Sequence, residues 1–259
     1  MKILKECQLY EKEGNSTYLS GSLPILVRLD GRSFSKFTKG LARPYDSRLG
    51  DIMIQTAGHL VRETHAIIGY TQSDEITLVY FNDNPDSIPL FGGKTHKINS
   101  ILASMATAKF NQLILSNIPD KADLLPVFDC RSWNVPTKEA AIDSLVFREN
   151  DAVRNSVSML ARTHFSHKGL QKKNRQQMLE MLSSIGVSWD NYPTHFLFGT
   201  YLKWETSIGT YTPAEFDNLP EKHNARFSED FSYVRSDVRV QFIPPLSTIE
   251  NAVGYIFED

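Results

Sequence analysis

Two apolar runs of strand length each meet a carboxylate at one end, and this constrains the chain more than any other feature. Residues 23–30 (Leu-Pro-Ile-Leu-Val-Arg-Leu-Asp) close on Asp30 and Gly31, and the run Ile76 to Phe81 follows Gln72-Ser73-Asp74-Glu75. Short β-rich runs bounded by Gly and polar residues read as strands, and Gly31 permits a tight turn after the first. Ile67 to Tyr70 and Ile76 to Phe81 then form a hairpin with Asp74 at its polar end. Two hard oxygen ligands at neighbouring strand ends can hold a divalent metal beside a triphosphate.

Between these runs, Asp46 caps a helix whose apolar positions Leu49, Ile52, Met53, Leu60 and Val61 recur at roughly 3.6-residue spacing. Residues 82–87 read as loop, 100–114 as helix and 127–131 as a further strand. This order describes an α+β fold, an antiparallel sheet with helices packed on one face, and two aspartates at its adjacent strand ends are what a palm-like (polymerase or nucleotide cyclase) site needs. Helices are expected over 150–164 and 172–184, the second stopped near Gly186. Phe196-Leu197-Phe198, Trp204, Tyr233-Val234 and Val238 to Ile243 are expected as strands of a C-terminal lobe. The expected division is a palm-like catalytic region at 1–135 and a helical and β region at 136–259, continuous with it.

With 259 residues, 41% of them hydrophobic, the chain can bury one large core. A net charge of −2 gives no global electrostatic case for nucleic acid. A local case exists: residues 151–175 hold six Lys/Arg, two His and one acid. Cys7 and Cys130 lack CxxC spacing, which argues against a disulfide framework and a zinc site and fits a reducing compartment. Cys130 reads as a small buried residue. Without a long apolar segment, the chain is expected to be soluble, unexported and cytoplasmic. His164 and His167 stand three apart with no further ligand nearby, so they read as phosphate contacts or surface. Asp143, Asp151 and Glu229-Asp230 read as structural or exposed.

The segments Val27 to Phe34, Arg43-Pro44-Tyr45-Asp46-Ser47-Arg48 and Gln72 to Glu75 resemble, in order and spacing, the tRNA-histidine guanylyltransferase family. The resemblance continues through Lys94 to Lys97, Phe128 to Arg131, Phe165 to Lys168 and Trp189 to Pro193, covering most of residues 20–205. These enzymes are 3′→5′ polymerases. The resemblance implies two Mg²⁺ held by Asp30, the Gly31 carbonyl and Asp74, with Glu75 also needed for activity. It implies a nucleoside triphosphate, ATP or GTP, cradled by the Arg32, Ser33 and Phe34 amides with Arg43, Asp46 and Ser73. It places a second triphosphate or the RNA 5′ end on Lys94, Lys97 and Arg131. Contacts to tRNA are expected from Arg154, His167, Lys168, Lys173 and Asn174, and the family's assembly implies a homotetramer.

Where the family's histidine-specific members carry His-Ile-Asn-Asn after Arg-x-x-Asp, this chain has Val153 in place of the histidine, within Arg148 to Asn155. The linker that follows is short, and Phe198-Gly199-Thr200 lacks a basic residue before the Gly. Both features are similar to the bacterial-type Thg-like branch, which repairs 5′-truncated tRNA by templated addition. A dedicated tRNA-His guanylyltransferase, a palm-type nucleotide cyclase and a non-catalytic RNA-binding protein are the competing readings.

Overall fold

The computed structural model describes residues 17–84, 86–222 and 232–258. Cys7 and Glu229-Asp230 lie outside them. In chain order the elements are β1 (Ile25–Gly31), α1 (Phe34–Phe37), α2 (Ser47–Thr64), β2 (Ile68–Gln72), β3 (Glu75–Tyr80), α3 (Thr95–Asn117) and β4 (Phe128–Asn134). There follow α4 (Lys138–His164), α5 (His167–Leu170), α6 (Arg175–Ser184), α7 (Thr194–Phe198), β5 (Thr200–Thr210), α8 (Pro213–Asp217), β6 (Ser232–Gln241) and α9 (Ala252–Phe257).

The strands form one six-stranded sheet in the order β4-β1-β3-β2-β5-β6, with every neighbour antiparallel. The C-terminal strands therefore lengthen the same sheet, with Tyr233 to Val240 lying in one strand, β6, rather than two. Alternation sends Ile25, Val27, Leu29, Ile76 and Leu78 to one face, where they pack with buried residues of α2 and α3. Leu26, Ile68, Tyr70, Val79 and Tyr201 occupy the other face, with Ala141 and Leu145 of α4 and Ile256 of α9. Helices thus cover both faces, where the sequence suggested one. The central strands β2 and β3 are buried at every position, as strands covered on both sides must be.

A satellite core of Leu160, Ala161, Leu170 and Leu182 binds the end of α4 to α5 and α6. The helix expected over 150–164 is the second half of α4, whose start is capped by Thr137 accepting from the Ala140 amide. Gly186, at φ +76°, follows the end of α6, and its amide and that of Val187 bond back to Ser183 and Leu182. The run Phe196-Leu197-Phe198 is helical rather than extended. Pro193 at its start favours a helix entry, and Gly199 at φ +79° ends it so close to Tyr70 that a Cβ would overlap the phenol. Tyr70 donates to the Phe198 carbonyl at 2.7 Å, fixing this turn to the sheet.

Candidate active site

Register decides where the acids fall. Asp30 pairs with Glu75 across β1 and β3 and with Asp129 across β1 and β4, and the Gly31 amide donates to the Asp74 carbonyl at 3.0 Å. The β2–β3 turn is thereby tied to the end of β1, so Asp30 and Asp74 occupy adjoining backbone. Ser73, left-handed at φ 50°, donates its hydroxyl to Asp74 at 3.0 Å. Burial raises the Asp74 carboxyl above its ordinary value; the Ser73 hydrogen bond opposes this, and the Asp30 charge adds to it. A cation held between the two would relieve that repulsion.

Among the described residues no three His, Cys, Asp or Glu side chains gather as a ready cluster. The donors expected there, the Asp30 and Asp74 carboxylates with the Gly31 carbonyl, are all hard oxygen. Such a set suits Mg²⁺, which is bound through one or two carboxylates plus phosphate oxygens and water.

Glu75 has different surroundings. Its carboxylate is buried and meets Arg148 of α4 at 3.0 Å and Arg28 at 3.6 Å. Burial raises its pKa while both guanidiniums oppose the shift. Arg148 also pairs with Asp151, which pairs in turn with exposed Arg154. Asp151 is therefore structural, as the sequence suggested, and Arg154 reaches the surface at the far end of the chain of charges.

A cavity of about 470 Å³ opens beside Asp74. Arg43, Asp46, Ser73, Asp74 and Phe34 line it, so the structure gathers these five predicted residues. Arg43 is exposed and forms no ion pair with a described residue, leaving its guanidinium available to an anion. Asp46 caps α2 and accepts from the Arg48 side chain at 2.7 Å and the Ala42 amide at 3.2 Å. The Arg48 hydrogen bonds hold its carboxyl down at about 2. In this arrangement its carboxylate clasps the loop that carries Arg43.

The predicted amide cradle needs one correction. The Arg32 amide donates to Val127 at 2.9 Å and is not free for a ligand. Ser33, left-handed at φ 58°, opens α1, so the Ser33 and Phe34 amides remain at a helix start that lacks i−4 partners. Gly31 is not in the left-handed region. Its glycine is needed because a Cβ would overlap the Phe34 ring, which is packed against Phe37, Phe110 and Phe128.

Lys94, Lys97 and Arg131 do not line this cavity. The Asn99 carboxamide meets Cys130 Sγ at 3.8 Å, which sets the first turns of α3 alongside β4 next to Arg131. Arg131 pairs with Asp129 at 3.2 Å in an exposed setting, and Lys97 is exposed. Burial pushes the Cys130 thiol up to about 12, which makes it inert. His167, Lys168 and Lys173 are exposed around α5, while the Asn174 carboxamide caps α6 in a reciprocal box with Gln177.

Sequence reasoning missed the cavity's far wall: Asn155, Met159 and Arg162 from α4, and His195 and Phe196 from α7. Tyr45 stacks on Phe196 with centroids 5.0 Å apart and stands edge-on to His195 at 5.4 Å. Burial lowers the His195 pKa, so the imidazole is neutral at pH 7, and its buried Nε2 has no hydrogen-bond partner among the described residues.

Residues 5–136 match the family model described as tRNAHis guanylyltransferase. The chain belongs to the tRNA(His) guanylyltransferase family. It is 30% identical over 200 residues to an uncharacterized protein of Acanthamoeba polyphaga mimivirus, covering 68% of each. It is 26% identical over 196 residues to a probable tRNA(His) guanylyltransferase of Mus musculus, covering 70% of this chain and 64% of the mouse protein. The chain thus spans about two thirds of the length of these relatives. A bacterial tRNA(His) guanylyltransferase (Thg1)-like protein solved with ATP superposes with TM-score 0.82 at 27% identity, over 99% of this chain and all of the other. One solved with GTP gives 0.74 at 27% identity, over 98% of each. The family is one of nucleotidyltransferases, this chain is a member, and its fold is that of the bacterial Thg1-like proteins.

Proposed function

We propose that this protein adds nucleotides to the 5′ end of tRNA in the 3′→5′ direction, copying the opposite strand to repair 5′-truncated tRNA. The observation that carries this reading is the joining of Asp30 and Asp74 at one sheet end, with Asp74 opening on a cavity that presents Arg43 to an anion. The likeness to ATP-bound and GTP-bound relatives over nearly the whole chain supports a triphosphate in that cavity. The Tyr45, His195 and Phe196 rings offer a purine a stacking surface.

Asp30, Asp74 and the Gly31 carbonyl would hold magnesium, which would neutralise charge on the triphosphate and lower the pKa of the attacking hydroxyl. In the first step a 5′-monophosphate oxygen attacks the α-phosphorus of ATP, releasing pyrophosphate and leaving an adenylylated end. The 3′-hydroxyl of an incoming nucleotide then attacks the 5′ phosphorus, and AMP leaves. A 5′-triphosphate end omits the first step. Arg43 and the Ser33 and Phe34 amides orient the triphosphate, since such transfers depend chiefly on positioning and charge. Lys94, Lys97 and Arg131 receive the second triphosphate or the RNA end. Arg154, His167, Lys168 and Lys173 contact tRNA phosphates, with Asn174 acting through the α6 cap. By family resemblance the working unit is a homotetramer, and the isolated thiols fit a reducing cytoplasm. Among the described residues no helix is long and apolar enough to cross a membrane.

The experiment is extension of a labelled 5′-monophosphorylated tRNA lacking its first nucleotide, with ATP, Mg²⁺ and single nucleoside triphosphates. Complementary extension is expected with any tRNA so truncated. The second reading, one non-templated G on tRNA-His, is favoured by the name of the mouse relative. Addition restricted to G on full-length tRNA-His would establish it over the repair reading.

A further inference from the structure

A second cavity, of about 320 Å³, lies between α4 and the sheet face that carries Asp30. Arg28, Thr77 and Trp133 line it from the strands, and Asp143, Phe147 and Arg148 from α4. Register fixes its place. Arg131, Arg28 and Thr77 form one row across β4, β1 and β3, two residues beyond the row Asp129, Asp30 and Glu75. Two residues of antiparallel strand span about 7 Å. The cavity is therefore a neighbour of the carboxylate end and separate from the triphosphate cavity, with which it shares no lining residue.

Two buried polar atoms in it make no hydrogen bond. Thr77 is 2% exposed and its Oγ1 has none, and Arg28 Nε is buried without one, held only in the 3.6 Å ion pair with Glu75. Buried polar groups are nearly always satisfied, so such a pair beside an opening marks a place for a ligand. The mouth offers a flat apolar surface: Phe147 is 59% exposed, with the Arg148 guanidinium packed on its ring at 4.4 Å. The charges balance locally. Glu75 and Asp151 engage the guanidiniums, and Asp143 adds an acid at the rim that has no partner among the described residues. That balance disfavours free phosphate and suits a neutral, flat, hydrogen-bonding ring.

We propose that this cavity seats an unpaired nucleobase, stacked on Phe147 and hydrogen-bonded along its edge to Thr77 Oγ1 and Arg28 Nε. The inference rests on the nucleotidyl-transfer reading of the Asp30 and Asp74 end, and it adds a base subsite on the opposite side of that end from the triphosphate cavity. The base comes either from the RNA end or from a free nucleoside.

The test uses the full chain and two probes, a 5′-truncated tRNA carrying 2-aminopurine opposite the missing nucleotide, and 2-aminopurine riboside alone. Stacking quenches the probe's fluorescence. Quenching of either probe is expected, with affinity about tenfold weaker in Phe147→Ala and in Thr77→Val. Thr77→Ser should restore it, and ATP binding with Mg²⁺ should stay unchanged in all three. Which probe responds identifies the source of the base. The proposal is overturned if neither probe is quenched, or if Phe147→Ala and Thr77→Val bind like the parent. Failure of the parent protein to bind ATP or extend RNA would instead overturn the nucleotidyl-transfer reading, and the fluorescence would still score the cavity.

Discussion

Arg148 of α4 and Glu75 of β3 form a buried ion pair at 3.0 Å that ties the helix covering one sheet face to the strand end beside Asp30. The guanidinium is also shared with Asp151, so two acids and one base hold each other out of water. Glu75 is a member of this pair rather than a free ligand. Its engagement ties the strand end next to Asp74 to α4.

Removing one partner of a buried pair strands the other's charge. Arg148→Met is therefore expected to destabilise the fold by about 3–5 kcal/mol, and Glu75→Gln with Arg148→Met together by clearly less. Urea unfolding of the parent, both single variants and the double variant checks this. Additive losses would show that the two residues do not interact.

Asp30→Asn and Asp74→Asn should each lower nucleotide addition by at least about a hundredfold. Asp74→Asn should also melt higher than the parent at pH 7 in EDTA. An acid whose folded pKa is raised costs stability once ionised, and the cost is absent below its unfolded value. A lower melting temperature would show that the turn needs the charge.

Asp46 has the opposite sign. Its carboxyl, held at about 2 by Arg48 against an ordinary 3.8, contributes stability that is complete above about 4 and is lost as pH falls through about 2. The gap in melting temperature between the parent and Asp46→Asn should shrink over that interval. Thermal melts from pH 6 to about 2 read it directly, and a constant gap would rule out the ion pair as its cause.

Gly31→Ala places a methyl group inside the Phe34 ring position, so ring, α1 and the Ser33 and Phe34 amides must shift together. Overpacking of this kind costs about 1–3 kcal/mol. The expected result is a stability loss of that size with a raised KM for the triphosphate. Gly31→Ala with Phe34→Leu should recover part of the stability.

The acids and their strands were legible because local chemistry marks them: an apolar run, a carboxylate, then a turn residue. The cap at Asp46 was legible for the same reason, and its side chain does begin α2. The loop after Asp30 was only half legible, since nothing local shows that the Arg32 amide is taken by Val127 from 95 residues downstream. The far wall of the triphosphate cavity was illegible because Asn155, Arg162 and His195 come to line the same cavity as Tyr45 only through tertiary packing. Phe196 to Phe198 misled because aromatic residues favour strands, whereas Pro193 and the contact of Gly199 with Tyr70 select a short helix. The covering of both sheet faces was visible in hindsight in the consecutive apolar residues Ile25-Leu26-Val27 of β1 and Leu78-Val79-Tyr80 of β3, where a one-sided sheet would alternate.

Helix α4 has 27 residues and a length of about 40 Å, and it lends Asp143, Phe147 and Arg148 to one cavity and Ala152, Asn155, Ser156, Met159 and Arg162 to the other. One uninterrupted helix thus walls both chambers, so its seating on the sheet sets the shape of each of them.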